Sequence, residues 1–244
     1  MMIIIEGVSK SYCIESGKKV AAVHGLSLAV SRGEVFGYIG PNGAGKSTSI
    51  KLLLDLIRPD TGTITINGLP SSNEASRAKI GYLPENPYMY DFLTASEYLR
   101  YAGNLSDMDT SSIAQRSELL LEKLKLDQAS NRRISSYSKG MQQRTAIAAA
   151  LIHDPDLVVL DEPMSGLDPL GRKLIFDLIA ELKKQGKTVF ISSHVLTDIE
   201  RLCDRVGIIV QGRLCYEGLV ADLMMPLEEQ FLQVVAATGV DEVK

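Results

Sequence analysis

Short runs of branched apolar residues recur along the chain and predict the strands of a sheet. These runs lie at residues 2–5, 20–30, 34–39, 63–67, 157–160, 188–191 and 206–210. The later runs alternate with stretches of helical periodicity. Strand, helix and strand in turn are typical of a parallel sheet with helices packed against it.

The clearest helical pattern covers residues 169–185. Asp168 can cap its start, Pro169 suits the first helical position and Gly186 suits the end. Between about residues 94 and 150 the apolar positions also follow a helical period, and no strand is predicted there. We therefore expect a helical insertion within an α/β fold.

The chain shows no repeat, low-complexity run or Gly/Ser linker that would separate two domains. We predict one domain over residues 1–218, with a core at 1–86 and 156–218 and a helical insertion at about 87–155. Residues 219–244 are predicted to form a short C-terminal tail. Hydrophobic side chains make up 45% of the 244 residues, which is enough to bury such a core.

Charge and cysteine content narrow the possible function classes. The formal net charge of −4 gives no electrostatic reason to bind a phosphate backbone, so no nucleic acid partner is expected. Cys13, Cys203 and Cys215 are widely spaced and fit no zinc pattern, which is typical of reduced thiols in an intracellular protein. No secretory signal and no apolar run of the ~20 residues that span a bilayer is seen. We expect the chain to be cytoplasmic and to reach a membrane only through a partner.

Residues 40–47 match the phosphate-binding loop, in which two glycines five positions apart precede a lysine and a hydroxyl residue. The loop consists of Gly40, Pro41, Asn42, Gly43, Ala44, Gly45, Lys46 and Ser47, and Thr48 follows it. A strand is predicted before the loop, and a helix with Leu52, Leu53 and Leu56 on its apolar face is predicted after it. Backbone N–H groups and a helix N-terminus would thus converge on an anion. Lys46 would neutralise β- and γ-phosphate charge, and Ser47 would ligate Mg²⁺.

The apolar run at residues 157–160 ends in two carboxylates, Asp161 and Glu162. This arrangement would place Asp161 near Mg²⁺ and Glu162 near an attacking water. Alone, the same pattern is equally typical of a buried strand whose acidic end reaches the surface. Because it accompanies a phosphate loop, we interpret it as part of an ATP-hydrolysing site.

Several further segments resemble those of the ATP-binding-cassette (ABC) family. Ser138-Lys139-Gly140, followed by residues 141–144, resembles the signature segment of that family. The remaining matches are Ser165-Gly166-Leu167-Asp168 with the D-loop, His194 with the switch histidine, Tyr12 with the aromatic that stacks on adenine, and Glu85 with the Q-loop position. Six segments in the order of the family cover most of residues 6–218, which makes the resemblance far more specific than one motif.

Two positions depart from the usual pattern of the family. The common signature reads Leu-Ser-Gly-Gly-Gln, whereas residues 137–141 read Tyr-Ser-Lys-Gly-Met, so Ser138 and Gly140 are kept and the glutamine is lost. Glu85 replaces the usual glutamine and would bring an extra negative charge to the metal. Both changes resemble a subgroup of prokaryotic cassettes that work with separate membrane subunits in exporters.

The resemblance implies an α/β fold: a P-loop NTPase core with a mainly parallel sheet, an N-terminal antiparallel β subdomain and a helical insertion. It also implies an ATPase that uses ATP and Mg²⁺, with Lys46, Ser47 and Asp161 holding the nucleotide and metal, Glu162 as base and His194 at the γ-phosphate. Two cassettes, as a homodimer or heterodimer, would close around two ATP molecules, each also contacted by Ser138 and Gly140 of the other chain. Transmembrane permease subunits would hold the pair at the inner face of the cell membrane.

Three other function classes can be weighed against this one. Soluble cassette ATPases that act on DNA or ribosomes usually carry long coiled coils or two cassettes in one chain, and neither is present here. A P-loop GTPase or small-molecule kinase is disfavoured because no Asn-Lys-x-Asp guanine-binding segment occurs. A regulatory module that binds ATP without turnover would not need both Glu162 and His194.

Overall fold

The computed structural model describes residues 1–13 and 19–239. The strands are β1 (Ile3–Cys13), β2 (Lys19–Val30), β3 (Val35–Ile39), β4 (Thr61–Ile66), β5 (Leu69–Pro70), β6 (Ile80–Leu83), β7 (Leu157–Asp161), β8 (Thr188–Ser192), β9 (Arg205–Val210) and β10 (Arg213–Leu219). The helices are α1 (Lys46–Leu53), α2 (Glu74–Arg77), α3 (Ala95–Leu105), α4 (Thr110–Lys123), α5 (Lys139–Leu151), α6 (Pro169–Lys184), α7 (Leu196–Leu202) and α8 (Leu227–Ala237). Short 3₁₀ turns lie at Asp127–Ala129, Ile134–Ser136 and Val220–Asp222.

The chain divides into two compact units. Unit 1 consists of Met1–Arg77 and Thr188–Lys244, and unit 2 consists of Ala78–Lys187. The predicted insertion at about residues 87–155 lies inside unit 2 and contains α3, α4 and α5. Where the predicted core ends and the insertion begins stays a prediction.

Unit 1 contains an antiparallel sheet with the strand order β2-β1-β4-β5. Ile3 and Ile5 in β1 are buried and pair with Val30 and Leu28 in β2. Burial alternates along the start of β1 because successive side chains of a strand point to opposite faces. This sheet is the predicted antiparallel subdomain.

Unit 1 also contains strand β3, which leads to the phosphate loop, and the parallel strands that pair with it. Strand β3 pairs in parallel with both β8 and β9, and β10 pairs with β9 in the antiparallel sense. Every residue of β3 and β8 is buried, as expected for parallel strands covered on both faces. Phe36 and Phe190 stack in this core with ring centroids 5.7 Å apart.

Unit 2 combines two parallel strands, β6 and β7, with four capped helices. Thr94 and Glu97 form a capping box at the start of α3, and Asp109 caps α4. At the start of α6, Asp168 accepts a hydrogen bond from the Gly171 N–H at 2.7 Å. These caps satisfy N–H groups that have no partner within their own helix.

The structure differs from the predicted elements at β6, at β10 and at the end of α1, among other places. Strand β6 was not predicted, because four residues that include Gly81 carry too short an apolar pattern. Strand β10 was missed because it is interrupted by charged residues and glycine and alternates between exposed and half-buried positions. Helix α1 ends at Leu53, so Leu56 lies beyond the helix and is 59% exposed, while Leu52 and Leu53 are buried as expected.

Candidate nucleotide-binding site

The predicted phosphate loop connects β3 to α1 in unit 1. Within the loop, the Ala44 N–H donates to the Pro41 carbonyl at 3.1 Å. Gly45, the residue before α1, has φ of 105°, a left-handed conformation that favours glycine. A parallel strand, a tight loop and a helix N-terminus thus follow each other as anion binding requires.

The loop is closely packed at its root and open at its tip. A β-carbon on Gly40 would collide with the Ile209 carbonyl, and one on Gly45 would collide with the Ala22 carbonyl. Gly43 faces open space, with nothing within 4 Å of the position of a β-carbon. A ligand can therefore approach the backbone at the tip while the neighbouring strands fix the root.

The Lys46 side chain lies over its own loop. Its Nζ donates to the carbonyls of Gly40 at 2.6 Å and Pro41 at 3.2 Å, which holds the positive charge at the mouth of the loop. Ser47 and Thr48 follow on the first turn of α1, where Ser47 is exposed and Thr48 is half-buried. These residues present one cation and two hydroxyl groups at one helix N-terminus.

Tyr38 of β3 supports the start of α1 through a pair of hydrogen bonds. The Tyr38 hydroxyl donates to Ser49 Oγ at 3.0 Å, and Ser49 Oγ donates to the Gly45 carbonyl at 3.0 Å. Complete burial raises the pKa of Tyr38 far above its usual value, so the tyrosine stays a neutral hydrogen-bond donor. This support for the loop was not predicted from the sequence.

His194 lies at the same sheet edge as the phosphate loop. Strands β3 and β8 run in parallel with Tyr38 opposite Ser192, so Gly40 and His194 each follow two residues after this pair. His194 is exposed, and the next N–H, that of Val195, donates to Ser193 Oγ at 3.0 Å. Tyr12, also in unit 1, lies near the end of β1 and is 41% exposed.

Three acidic residues of the candidate site, Glu85, Asp161 and Glu162, lie at the carboxyl ends of the parallel strands of unit 2. Leu83 of β6 lies opposite Leu160 of β7, so Glu85 and Glu162 each follow two residues after this pair at one sheet edge. Asp161, the last residue of β7, is only 4% exposed. Burial, and secondarily the negative charge of Asp161, raises the pKa of the nearby Tyr82.

Glu162 has an unusual backbone conformation for its residue type. Its φ is 52°, in the left-handed region, where a β-carbon is sterically disfavoured. The Ser165 N–H donates to the Glu162 carbonyl at 3.1 Å and closes the turn. Strain of this kind is frequent at functional sites, where it orients a side chain.

The signature segment of unit 2 forms the start of α5. Ser138 Oγ accepts a hydrogen bond from the Met141 N–H at 3.3 Å and so caps this helix. A β-carbon on Gly140 would lie 3.5 Å from both the Gly166 carbonyl and Leu167 Cδ2, which places the signature segment against the D-loop. The aliphatic stem of Lys139 covers Gly166.

A family model described as ABC transporter matches residues 23–165 of the chain. The match includes the phosphate loop, the signature segment and both acidic residues at the end of β7, Asp161 and Glu162. This chain belongs to the ABC transporter family.

Curated relatives of this ABC protein support the same assignment. An uncharacterized ABC transporter ATP-binding protein of Synechocystis sp. is 44% identical over 92% of the chain and 64% of the relative. The linearmycin resistance ATP-binding protein of Bacillus subtilis is 37% identical over 99% of the chain and 76% of the relative. A Nod factor export ATP-binding protein of Ralstonia nicotianae is 36% identical over 90% of the chain and 68% of the relative. The chain thus corresponds to under two thirds of the length of the cyanobacterial relative.

Solved structures show that the fold is also that of ABC cassettes. The ATP-binding subunit of an ABC transporter superposes with a TM-score of 0.87 at 31% identity, over 96% of this chain and all of the other. A dimeric cassette in a post-hydrolysis state with ADP and Pi superposes with a TM-score of 0.83 at 25% identity, over 90% of this chain and 99% of the other. The predicted fold class, and the family of cassette ATPases as the class of enzyme, are therefore confirmed.

Residues of this ABC cassette match the chemistry of MgATP. The open loop tip, Lys46 and the hydroxyl of Ser47 fit a polyphosphate, and the buried carboxylate of Asp161 fits a hard cation. No group of three or more His, Cys, Asp or Glu side chains that could hold a metal occurs within residues 1–13 and 19–239. A cassette needs none, because phosphate oxygens and water complete the coordination of Mg²⁺ in such sites. The roles of the individual site residues stay predictions.

Proposed function

We propose that the chain binds and hydrolyses MgATP and, as one of two cassettes in a dimer, drives transport through separate membrane subunits. The observation that carries the proposal is the phosphate loop, whose root is fixed at Gly40 and Gly45, whose tip is open at Gly43, and whose Lys46 ammonium donates to the Gly40 carbonyl. Membership of the ABC transporter family supports the coupling to transport.

The proposed chemistry gives each site residue one task. Lys46 neutralises phosphate charge, and Asn42, Gly43 and Ala44 belong to the loop whose backbone N–H groups surround the phosphates. Ser47 and Asp161 would hold Mg²⁺, which supplies charge neutralisation between the phosphates. Glu85 is proposed to act near the metal.

Glu162 is proposed to accept a proton from the attacking water or to orient it. Its strained backbone supports this role, because the left-handed conformation fixes the direction of the side chain. His194 contacts the γ-phosphate, and Tyr12 stacks on adenine. Ser138 and Gly140 contact the nucleotide that the second cassette carries.

Unit 2 offers a surface on which a membrane subunit could dock. Tyr88 and Phe92 are 88% and 62% exposed. A groove of about 300 Å³ beside Tyr88 is lined also by Tyr98 and Leu105. Exposed aromatic side chains beside an apolar groove are typical of a protein interface. We propose that this surface binds a permease subunit and so places the protein at the inner face of the membrane.

Within the described part of the chain, no helix is both long enough and apolar enough to cross a bilayer. Membership of the ABC transporter family supports assigning the membrane passage to a partner. The names of two relatives, one a resistance protein and one an export protein, support export as the direction of transport.

The substitution Lys46→Ala tests the nucleotide site. Loss of the ammonium removes charge-assisted contacts with the phosphates, so ATP affinity or turnover is expected to fall at least about tenfold. Titration with a fluorescent ATP analogue and a phosphate-release assay measure the two quantities. Lys51→Ala serves as control, because Lys51 is exposed on the same helix and outside the loop.

Equal affinity and equal hydrolysis in the wild type and Lys46→Ala would overturn the assignment of the phosphate loop. Equal losses in Lys46→Ala and Lys51→Ala would also contradict it, since they would point to a general effect on α1.

A further inference from the structure

The side chain of Gln143 connects helix α5 to the segment that carries Glu162. Gln143 lies in the second turn of α5 and is 4% exposed. Its Nε2 donates to the carbonyl of Pro163 at 3.2 Å and to the carbonyl of Glu162 at 3.4 Å. One buried amide group thus contacts two consecutive peptide units beside the proposed base.

These contacts add to the hydrogen bond from the Ser165 N–H that closes the turn at Glu162. Glu162 is in the left-handed region, and such a residue persists only where its surroundings fix it. Pro163 has no N–H to donate, and its buried carbonyl needs a donor from elsewhere. Gln143 supplies this donor, and it comes from a rigid helix.

We propose that Gln143 is a positioning residue for hydrolysis, which fixes the Glu162 carboxylate by anchoring its backbone to α5. The proposal rests on the proposed function, in which Glu162 acts on the attacking water. Removal of the amide leaves the loop and its phosphate contacts in unit 1 intact. The turnover number should therefore change, whereas the affinity for ATP should not.

In a dimer of cassettes, the contact of Gln143 with the Glu162 segment would connect the two nucleotide sites. Helix α5 begins at the signature segment, and in the proposed dimer Ser138 and Gly140 contact the nucleotide of the second chain. The other end of the connection is Glu162, which acts on the nucleotide of its own chain. Gln143 would therefore make hydrolysis at one site depend on occupancy of the other through a single rigid helix.

The substitution Gln143→Met tests the positioning role, because methionine keeps the unbranched shape and loses the donor. We expect kcat for ATP hydrolysis to fall by about 10- to 100-fold with KM within about twofold, as for a misplaced catalytic group. Gln142→Met is the matched control: Gln142 is the preceding residue of α5, and its Nε2 donates to the Ile134 carbonyl instead. That variant is expected to keep its kcat within about twofold.

A rescue variant separates the hydrogen bond from packing. Gln143→His places a ring N–H donor at a similar reach, so it is expected to turn over ATP several-fold faster than Gln143→Met. Cooperativity gives a further readout, since two coupled sites allow a Hill coefficient between one and two. We expect the Hill coefficient of Gln143→Met to lie closer to one than that of the wild type.

Each contrary result can be assigned to one idea. Normal turnover of Glu162→Gln would overturn the base assignment within the proposed function. An inactive Glu162→Gln protein together with a wild-type kcat in Gln143→Met would overturn the role of Gln143 alone. The same loss in Gln142→Met, or a Gln143→His protein no faster than Gln143→Met, would contradict the hydrogen-bond role. A slow Gln143→Met protein with the Hill coefficient of the wild type would overturn the connection between the two sites.

Discussion

Glu162, the proposed base, has a backbone conformation that lowers the stability of the fold. Asp and Asn tolerate the left-handed region because their short side chains bond locally, and glutamate lacks this advantage. Its φ of 52° therefore has an energetic cost of about 1 kcal/mol or more. A residue selected for the fold alone would be glycine at this position.

The substitution Glu162→Gly should separate the effect of the backbone strain on stability from the role of the carboxylate in hydrolysis. We expect the free energy of unfolding to rise by about 1 kcal/mol because the strain is removed, while hydrolysis is lost with the carboxylate. Glu162→Gln should also lose hydrolysis but gain no stability, because the β-carbon remains. Urea unfolding and phosphate release measure the two effects.

Lys125→Gly is the matched control for strain, since Lys125 has φ of 56° and lies outside the proposed nucleotide site. It is expected to gain similar stability and to keep its hydrolysis rate. If Glu162→Gly proved no more stable than Glu162→Gln while Lys125→Gly gained stability, the conformation of Glu162 would not be strained.

At the scale of elements, features that depend on neighbouring residues could be predicted from the sequence. Features that depend on contacts between distant residues could not. The cap Asp168 was predicted correctly, because a cap needs only a side chain and the N–H groups of the next turn. Strand β6 was missed, since its four residues become a strand only by pairing with β7. The part played by Gln143 was missed for the same reason: its partners are 19 and 20 residues away along the chain.

His153 links two elements of unit 2 in a way that should depend on pH. It follows α5, and its Nε2 donates to the Ile80 carbonyl at 3.1 Å, at the start of β6. The other ring nitrogen, Nδ1, is buried without a hydrogen-bond partner among the described residues. Burial lowers the pKa of His153 below its usual 6.5, and the positive charges of Lys79 and Arg116 lower it further.

The free energy of unfolding should therefore fall as the pH drops through 6.5. In that range the unfolded chain takes up a proton on this histidine and the native protein does not, so protonation favours the unfolded state. In His153→Gln this part of the pH dependence should be absent. Urea unfolding at several pH values between about 5.5 and 8 compares the two proteins, and parallel curves for both would contradict the prediction.

At the scale of the whole molecule, the position of the signature segment supports a proposed contact with the nucleotide of a second chain. Ser138 and Gly140 lie at the N-terminus of α5, where the first N–H groups can bind an anion, and the segment contacts the D-loop of its own chain. A solved cassette of the same fold is dimeric with ADP and Pi. These observations support the proposed dimer in which ATP bridges the phosphate loop of one chain and the signature segment of the other.

A protein that binds ATP without hydrolysing it should make this dimer visible. Glu162→Gln keeps the shape of the side chain but cannot accept a proton, so turnover is expected to fall at least about 100-fold while ATP binding persists. Bound ATP should then hold two chains together, because a ligand that binds the dimer shifts the equilibrium toward it. Size-exclusion chromatography at increasing ATP concentrations is expected to show conversion of monomer to dimer.

A second substitution in the same protein tests whether the signature segment forms the bridge. Glu162→Gln combined with Ser138→Arg should remain monomeric, because the long side chain obstructs the nucleotide of the other chain. Ser138→Ala in the same background is the matched control, since it loses the same helix cap, at a cost of about 1 kcal/mol, without adding bulk. It should still dimerise, at a higher ATP concentration than Glu162→Gln alone. If the arginine variant dimerised as readily as the alanine variant, the bridge would not pass through Ser138, and the nucleotide would have to be enclosed by other residues.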